Sequence, residues 1–112
     1  MAILKTPHAE DRPNLHGISA KPTHATEHTH VTMMTLAPGE TLHPHITQVD
    51  LFLNVLQARS IVKIDGECAI VERDGLVISP ATLAHRLLTA GTETFRFLAV
   101  KTQAQKEGTR IL

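Results

Sequence analysis

The chain is predicted to be an all-β protein, with short strands forming a sandwich or barrel around one core. Short apolar segments recur along the sequence and are separated by turn signals, among them Pro38-Gly39, Asp65-Gly66 and Asp74-Gly75. Short strands at even spacing are typical of sandwiches and barrels. No segment repeats its apolar residues with the 3.6-residue period that an amphipathic helix requires.

The expected strands follow one another from His28 onward. Alternating or continuous apolar patterns predict strands near residues 28–36, 42–46, 49–56, 60–64, 67–71, 76–78, 85–88 and 94–100. Pro38-Gly39 suits the centre of a type II turn, where glycine supplies the positive φ. Asp65-Gly66 is the strongest short hairpin signal. The run 49–56 is the most apolar, so we expect it to be a central strand.

The 112 residues allow one domain with one core. Residues 1–27 contain Pro7, Pro13 and Pro22 without a helical period, which indicates an arm laid over the barrel, with a short strand near 15–19. Residues 28–104 form the predicted barrel. Residues 105–112 are polar and are expected to be a tail.

Charge and composition limit the classes of partner that we expect for this chain. Lys plus Arg and Asp plus Glu each number 11, and no basic stripe is present, so neither nucleic acid nor a membrane surface is an expected partner. The single cysteine, Cys68, excludes an intrachain disulfide and is expected to be a small apolar strand residue. No run approaches the ~20 apolar residues of a membrane helix, and the N-terminal residues lack a signal-peptide core. We therefore expect a cytoplasmic protein.

Three histidines suggest a metal pocket. His43 and His45 stand two residues apart in a predicted strand, so their side chains can share one face. Imidazole is the commonest neutral metal ligand. His85 follows a turn marked by Pro80 and is expected to come from a second strand.

These features together resemble the cupin family, small β-barrels also called double-stranded β-helices. The resemblance spans roughly residues 28–102 and depends on five segments: Pro38-Gly39, His43-x-His45, Val55–Ala58, Asp65-Gly66-Glu67 and Pro80–His85. It implies a single cupin-like β-barrel, a homodimer and a pocket for a small-molecule ligand. An exposed sheet edge and the N-terminal arm fit dimerisation as well.

Two alignments to the first cupin motif remain open, and we call them registers. In the first register, His43 and His45 are the His-x-His pair and Asp50 replaces the acidic ligand, at the cost of altered spacings. With His85, these residues form a site for iron, manganese, nickel, copper or zinc. We prefer this register because it explains why two histidines share one inward face: both are metal ligands.

The second register keeps the family spacings throughout. His45 is then the first histidine, Thr47 replaces the second and Leu51 replaces the acid. Leu51, Leu53 and Val55 face inward together, and only His45 and His85 remain of the four usual ligands. His45 and His85 are ligand positions in both registers.

The second motif also departs from the family pattern. Thr82 stands where glycine is usual, Thr89 where asparagine is usual, and Ala58 replaces the glycine at a strand end. These departures leave the fold prediction intact but weaken the case for a family-standard active site.

Other polar residues have simpler expected roles. His24, His28 and His30 form a second cluster, which we interpret as an exposed strand edge. Arg86 is expected on the face opposite His85, and Arg96 is expected to pair with a carboxylate.

Two functions fit this sequence. The first is a metal-dependent enzyme of dioxygenase or isomerase type acting on a small polar metabolite, in which the metal polarises a carbonyl or activates oxygen or water. The second is a non-catalytic module that binds a ligand or metal through a degenerate site. An inward Asp50 favours catalysis, and an outward Asp50 favours binding.

Overall fold

The computed structural model describes residues 1–5, 10–11, 18–46, 49–89 and 92–102, with only the backbone for residues 43–46 and 89. Within these ranges it contains strands and no helix, which confirms the predicted all-β class. The strands are β1 (Ser19–Ala25), β2 (Thr29–Leu36), β3 (Thr41–Ile46), β4 (Asp50–Gln57), β5 (Arg59–Ile64), β6 (Glu67–Glu72), β7 (Leu76–Ser79), β8 (Ala84–Thr89) and β9 (Phe95–Thr102).

The strands form two antiparallel sheets that face each other. The large sheet has the order β1-β2-β9-β4-β7, and the small sheet has the order β3-β8-β5-β6. From β2 to β5 and again from β6 to β9, successive strands alternate between the two sheets, as in a jelly roll. Among the described residues no paired strands close the two sheets into a continuous barrel.

The core lies between the sheets and is built by the alternation of side chains along each strand. On β4, Leu51, Leu53 and Val55 are buried, whereas the intervening Phe52 and Asn54 are half-buried on the outer face. On β9, Phe95 and Phe97 are fully buried with ring centroids 5.3 Å apart. Burying each such side chain contributes about 1.5–3 kcal/mol.

Most strands lie where the sequence predicts them, and β1 is the exception. A strand was expected near 15–19, but β1 covers Ser19–Ala25 and joins the large sheet beside β2; residues 12–17 lie outside the described chain. As expected, β4 lies inside its sheet, between β9 and β7. Gly39 has the predicted positive φ, 86°, and both residues of the Asp65-Gly66 hairpin turn have positive φ, 47° and 83°.

Thr82 has an unusual backbone conformation. Its φ is +71°, in the left-handed region that side chains branched at Cβ rarely adopt. The residue lies in the turn between β7 and β8, at the position where the resemblance expects glycine, and its side chain is exposed. The turn therefore keeps the backbone shape suited to glycine without having glycine.

Replacing Thr82 by glycine is expected to stabilise the protein by about 0.5–1 kcal/mol, because the relief of the left-handed strain exceeds the added entropy of the unfolded chain. Thr35→Gly, in the extended strand β2, is the matched control and is expected to destabilise by about the same amount. Denaturant titration followed by circular dichroism measures both free energies of unfolding. A loss of stability in Thr82→Gly contradicts the strain assigned to this turn.

Candidate functional site

His85 lies in the interior between the two sheets. On β8, His85 and Leu87 are 2% and 1% exposed, while Ala84 is exposed and Arg86 is half-buried on the opposite face. This alternation matches the predicted orientations of His85 and Arg86. A titratable ring thus shares the interior with the apolar core.

Strand pairing brings His45 opposite His85. In the antiparallel pair of β3 and β8, the Cα partner of His45 is His85, and that of Ile46 is Ala84. The pairing shifts between Leu42 and His45, so His43 lies within an irregular part of the ladder. The backbone therefore brings together the two histidines that both registers share.

Ser79 contacts the buried histidine from the other sheet. Its Oγ atom lies 3.4 Å from Nδ1 of His85, and Ser79 itself is 1% exposed. Ser79 belongs to β7 in the large sheet and His85 to β8 in the small one. The contact links the sheets through a pair of polar side chains, and Ser79 is not among the site residues predicted from the sequence. The alternation of β7, in which Val77 and Ser79 share a face, is the signal that could have indicated it.

The other buried polar side chain among the described residues is Ser60. Its Oγ atom donates a hydrogen bond of 2.6 Å to the carbonyl oxygen of Leu88. Ser60 therefore provides a hydrogen-bond donor for a backbone carbonyl of the neighbouring strand β8. We assign it a structural role.

Asp50 is exposed, on the outward parity of β4. Its Oδ1 atom accepts a 2.9 Å hydrogen bond from the backbone N–H of Ala81 and so fixes the turn that leads into β8. Leu51, only 4% exposed, points inward instead. This arrangement matches the second register along β4, whereas the first register expects Asp50 in the pocket.

No three described His, Cys, Asp or Glu side chains lie close enough together to share a metal ion. The side chains of His43 and His45 lie outside that description. His24, His28 and His30 are exposed, as expected for a strand edge, and His28 Nε2 lies 3.9 Å from Glu27 Oε2.

Arg96 has a different contact from the one expected. A carboxylate partner was predicted, but Nη2 of Arg96 lies 3.3 Å from the sulfur of Met33. These residues belong to β9 and β2, on the outer face of the large sheet. The contact therefore places the Arg96 side chain on the face opposite His85's side of the core.

Comparison with solved structures supports the fold. The chain matches the cupin domain of Cnp3 from Schizosaccharomyces pombe with a TM-score of 0.81 at 13% identity, covering 89% of this chain and 72% of that one. A predicted oxalate decarboxylase from Thermotoga maritima also matches with a TM-score of 0.81, at 15% identity over 92% and 100% of the two chains. A Cupin 2 conserved barrel domain protein from Salinispora arenicola gives 0.78, at 18% identity over 93% and 90%.

No protein-family model and no curated protein matches the sequence. The described residues contain no helix that is long and apolar enough to cross a membrane. At these low identities, the structural matches establish the architecture and leave activity open. The strand order and these matches confirm the predicted resemblance: the chain has the cupin fold, an all-β double-stranded β-helix.

Proposed function

We propose that the chain binds a divalent transition metal between its two sheets, with His45 and His85 as ligands, and that this centre holds a small-molecule ligand. The observation that carries the proposal is the position of His85, which is 2% exposed on an inward face and directly opposite His45. Opposed residues of an antiparallel pair share a face, with Cβ atoms about 4.5–5.5 Å apart. Two imidazoles at such positions suit one metal ion.

The surroundings of His85 fit a ligand role. A ligating histidine usually bonds through its other ring nitrogen to a neighbouring polar group, which fixes the orientation of the ring. The Ser79 hydroxyl, 3.4 Å from Nδ1 of His85, occupies that place. Coordination would then use Nε2 of His85.

Of the two remaining predicted ligands, the proposal includes His43 and leaves out Asp50. His43 lies two residues before His45 in β3, and we include it as a third imidazole ligand. A set of imidazoles suits zinc, copper, iron or nickel, and manganese less well. Asp50 is not included, because its exposed carboxylate bonds to the turn at Ala81.

A bound metal would act as a Lewis acid toward an oxygen atom of the bound small molecule. The chain itself contributes the apolar inner wall of β4, formed by Leu51, Leu53 and Val55. Such a wall limits water around His85 and strengthens polar interactions there. These features support a binding role without requiring turnover.

A second candidate is a metal-dependent enzyme. The similarity to a predicted oxalate decarboxylase favours a small carboxylate as substrate over larger metabolites. The test incubates the metal-loaded protein with oxalate and measures carbon dioxide and formate. Sustained turnover that His85→Ala removes supports the enzyme, and its absence with oxalate at saturating concentration rules out oxalate as the substrate.

Tag-free protein is expected to bind about one divalent metal per chain, measured by calorimetry and elemental analysis. His85→Ala is expected to weaken that affinity at least about tenfold, or ~1.4 kcal/mol, because it removes a ligand. His28→Ala, at an exposed histidine, is the matched control and should leave the affinity unchanged. Circular dichroism checks that both variants are folded. Equal losses in the two variants contradict the interior site.

Asp50 is expected to matter for stability and not for metal affinity. Asp50→Ala removes the acceptor for Ala81 and should lower the free energy of unfolding by about 0.5–1.5 kcal/mol. Asp50→Asn retains an acceptor oxygen and should cost less. Denaturation and metal titration of both variants measure the two effects. If Asp50→Asn abolishes metal binding while the fold is intact, the first register is correct.

A further inference from the structure

A polar cleft lies at the end of the sandwich remote from the paired histidines. Its volume is about 540 Å³, and the described residues that line it are Ala58, Arg59, Glu72, Arg73, Thr92 and Glu93. Arg59 begins β5, and the last residue of that strand, Ile64, pairs with His85. The extended strand spans roughly 17 Å, so the cleft is separate from the histidines. Its volume lies within the roughly 300–1,000 Å³ of typical small-molecule sites.

The turn between β6 and β7 forms one wall of the cleft and carries Arg73. The backbone N–H of Asp74 donates a hydrogen bond to the carbonyl oxygen of Val55 on β4, and the N–H of Val55 donates one to the carbonyl oxygen of Gly75, both at 3.0 Å. A side chain at Gly75 would meet Cγ2 of Val71 at 2.6 Å, so this turn packs closely against β6. Two hydrogen bonds therefore hold this wall on β4.

The segment that precedes β9 forms another wall and carries Thr92 and Glu93. Nε2 of Gln57, the last residue of β4, donates a 3.1 Å hydrogen bond to the carbonyl oxygen of Thr94. In the same lining, Ala58 joins β4 to β5 with a φ of 63°, in the left-handed region. Such conformations cost energy and concentrate at functional sites. Both walls are thus anchored at one end of β4, which gives the cleft a fixed shape.

Charged side chains of both signs line the cleft and do not pair with one another. The lining contains two guanidinium groups and two carboxylates, so its formal charge is zero. Arg59 and Glu72 are opposed in the pairing of β5 and β6, yet within the described chain neither forms an ion pair. Arg73 contacts Asp74, outside the lining, with Nε 3.8 Å from Oδ2, and Glu93 has no ion pair among the described residues. A ligand thus meets positive and negative groups together.

This mixture of charges selects the class of ligand. A simple anion would be repelled by the two carboxylates, and a simple cation by the two guanidinium groups. An apolar molecule would remove water from these charges without replacing its hydrogen bonds. A molecule that carries both a carboxylate and an ammonium group satisfies both sets, because guanidinium groups bind carboxylates through paired hydrogen bonds and carboxylates bind ammonium groups.

We propose that the cleft binds a zwitterionic small molecule, a short peptide with both ends free. Its carboxylate contacts Arg59 and Arg73, and its ammonium group contacts Glu72 and Glu93. The volume of the cleft exceeds that of a single amino acid and suits a peptide of about two or three residues. The site uses neither the histidines nor a metal ion, so it is independent of the function proposed above.

Calorimetric titration of the full chain with triglycine and three blocked forms of the same peptide is the test. Triglycine is expected to bind with a Kd below about 1 mM. N-acetyltriglycine lacks the ammonium group, triglycinamide lacks the carboxylate, and N-acetyltriglycinamide lacks both. Loss of either charge is expected to weaken binding about fivefold, since it removes one charge-assisted contact in an exposed cleft, and loss of both should weaken it further.

Variants assign each end of the peptide to its side of the cleft. Arg59→Gln is expected to weaken triglycine binding about fivefold and to leave the binding of triglycinamide, which has no carboxylate, unchanged. Glu72→Gln should weaken triglycine binding equally and leave that of N-acetyltriglycine unchanged. Lys63→Gln and Glu67→Gln, at exposed charges toward the other ends of β5 and β6, are the matched controls and should bind triglycine like the wild type.

Three results overturn the proposal: triglycine shows no saturable binding, N-acetyltriglycinamide binds as tightly as triglycine, or the control variants lose as much affinity as Arg59→Gln and Glu72→Gln. Loss of triglycine binding in His85→Ala but not in Arg59→Gln would place the peptide at the histidines and overturn it as well. Circular dichroism checks that each variant is folded, and Arg73→Gln is a second variant if Arg59→Gln is poorly folded.

Discussion

The packing of Phe95 and Phe97 into the space between the sheets holds the structure together. Both rings are fully buried, and they lie on β9, which pairs with β2 on one side and with β4 on the other. Without β9 the large sheet would separate into two pairs of strands with their apolar faces open to water. The contact between Ser79 and His85 depends on the same packing, because the two residues lie on different sheets and meet only while these sheets face each other.

Local signals were sufficient to predict most of the fold. Turn residues and alternating side chains located the strands from β2 to β9, since each of those signals lies within a few residues. Strand β1 was misplaced because Pro22 and the shift beside it interrupt the alternation. It is a strand because β2, the next strand in the chain, pairs with it on both sides of that shift.

The site was harder to predict than the fold. Strand β4 is an almost unbroken apolar run, so the sequence did not show whether Asp50 or Leu51 points inward, and a slip of one residue exchanges the two faces. Pairing with β7 and β9 fixes the register and buries Leu51. The contact between Ser79 and His85 was missed for a related reason: they lie on strands of different sheets, and only the topology brings them together.

The central position of β9 has a consequence for how the protein is made. Strands β2 and β4 are separated from each other in the large sheet by a strand that is synthesised after both of them. During synthesis, β2 and β4 therefore cannot join into one sheet and cover their inward apolar side chains until residues 95–102 have left the ribosome. Contacts between distant parts of a chain form slowly, and incomplete sheets expose surfaces that aggregate. We therefore expect the nascent chain, more than the finished protein, to need the help of chaperones.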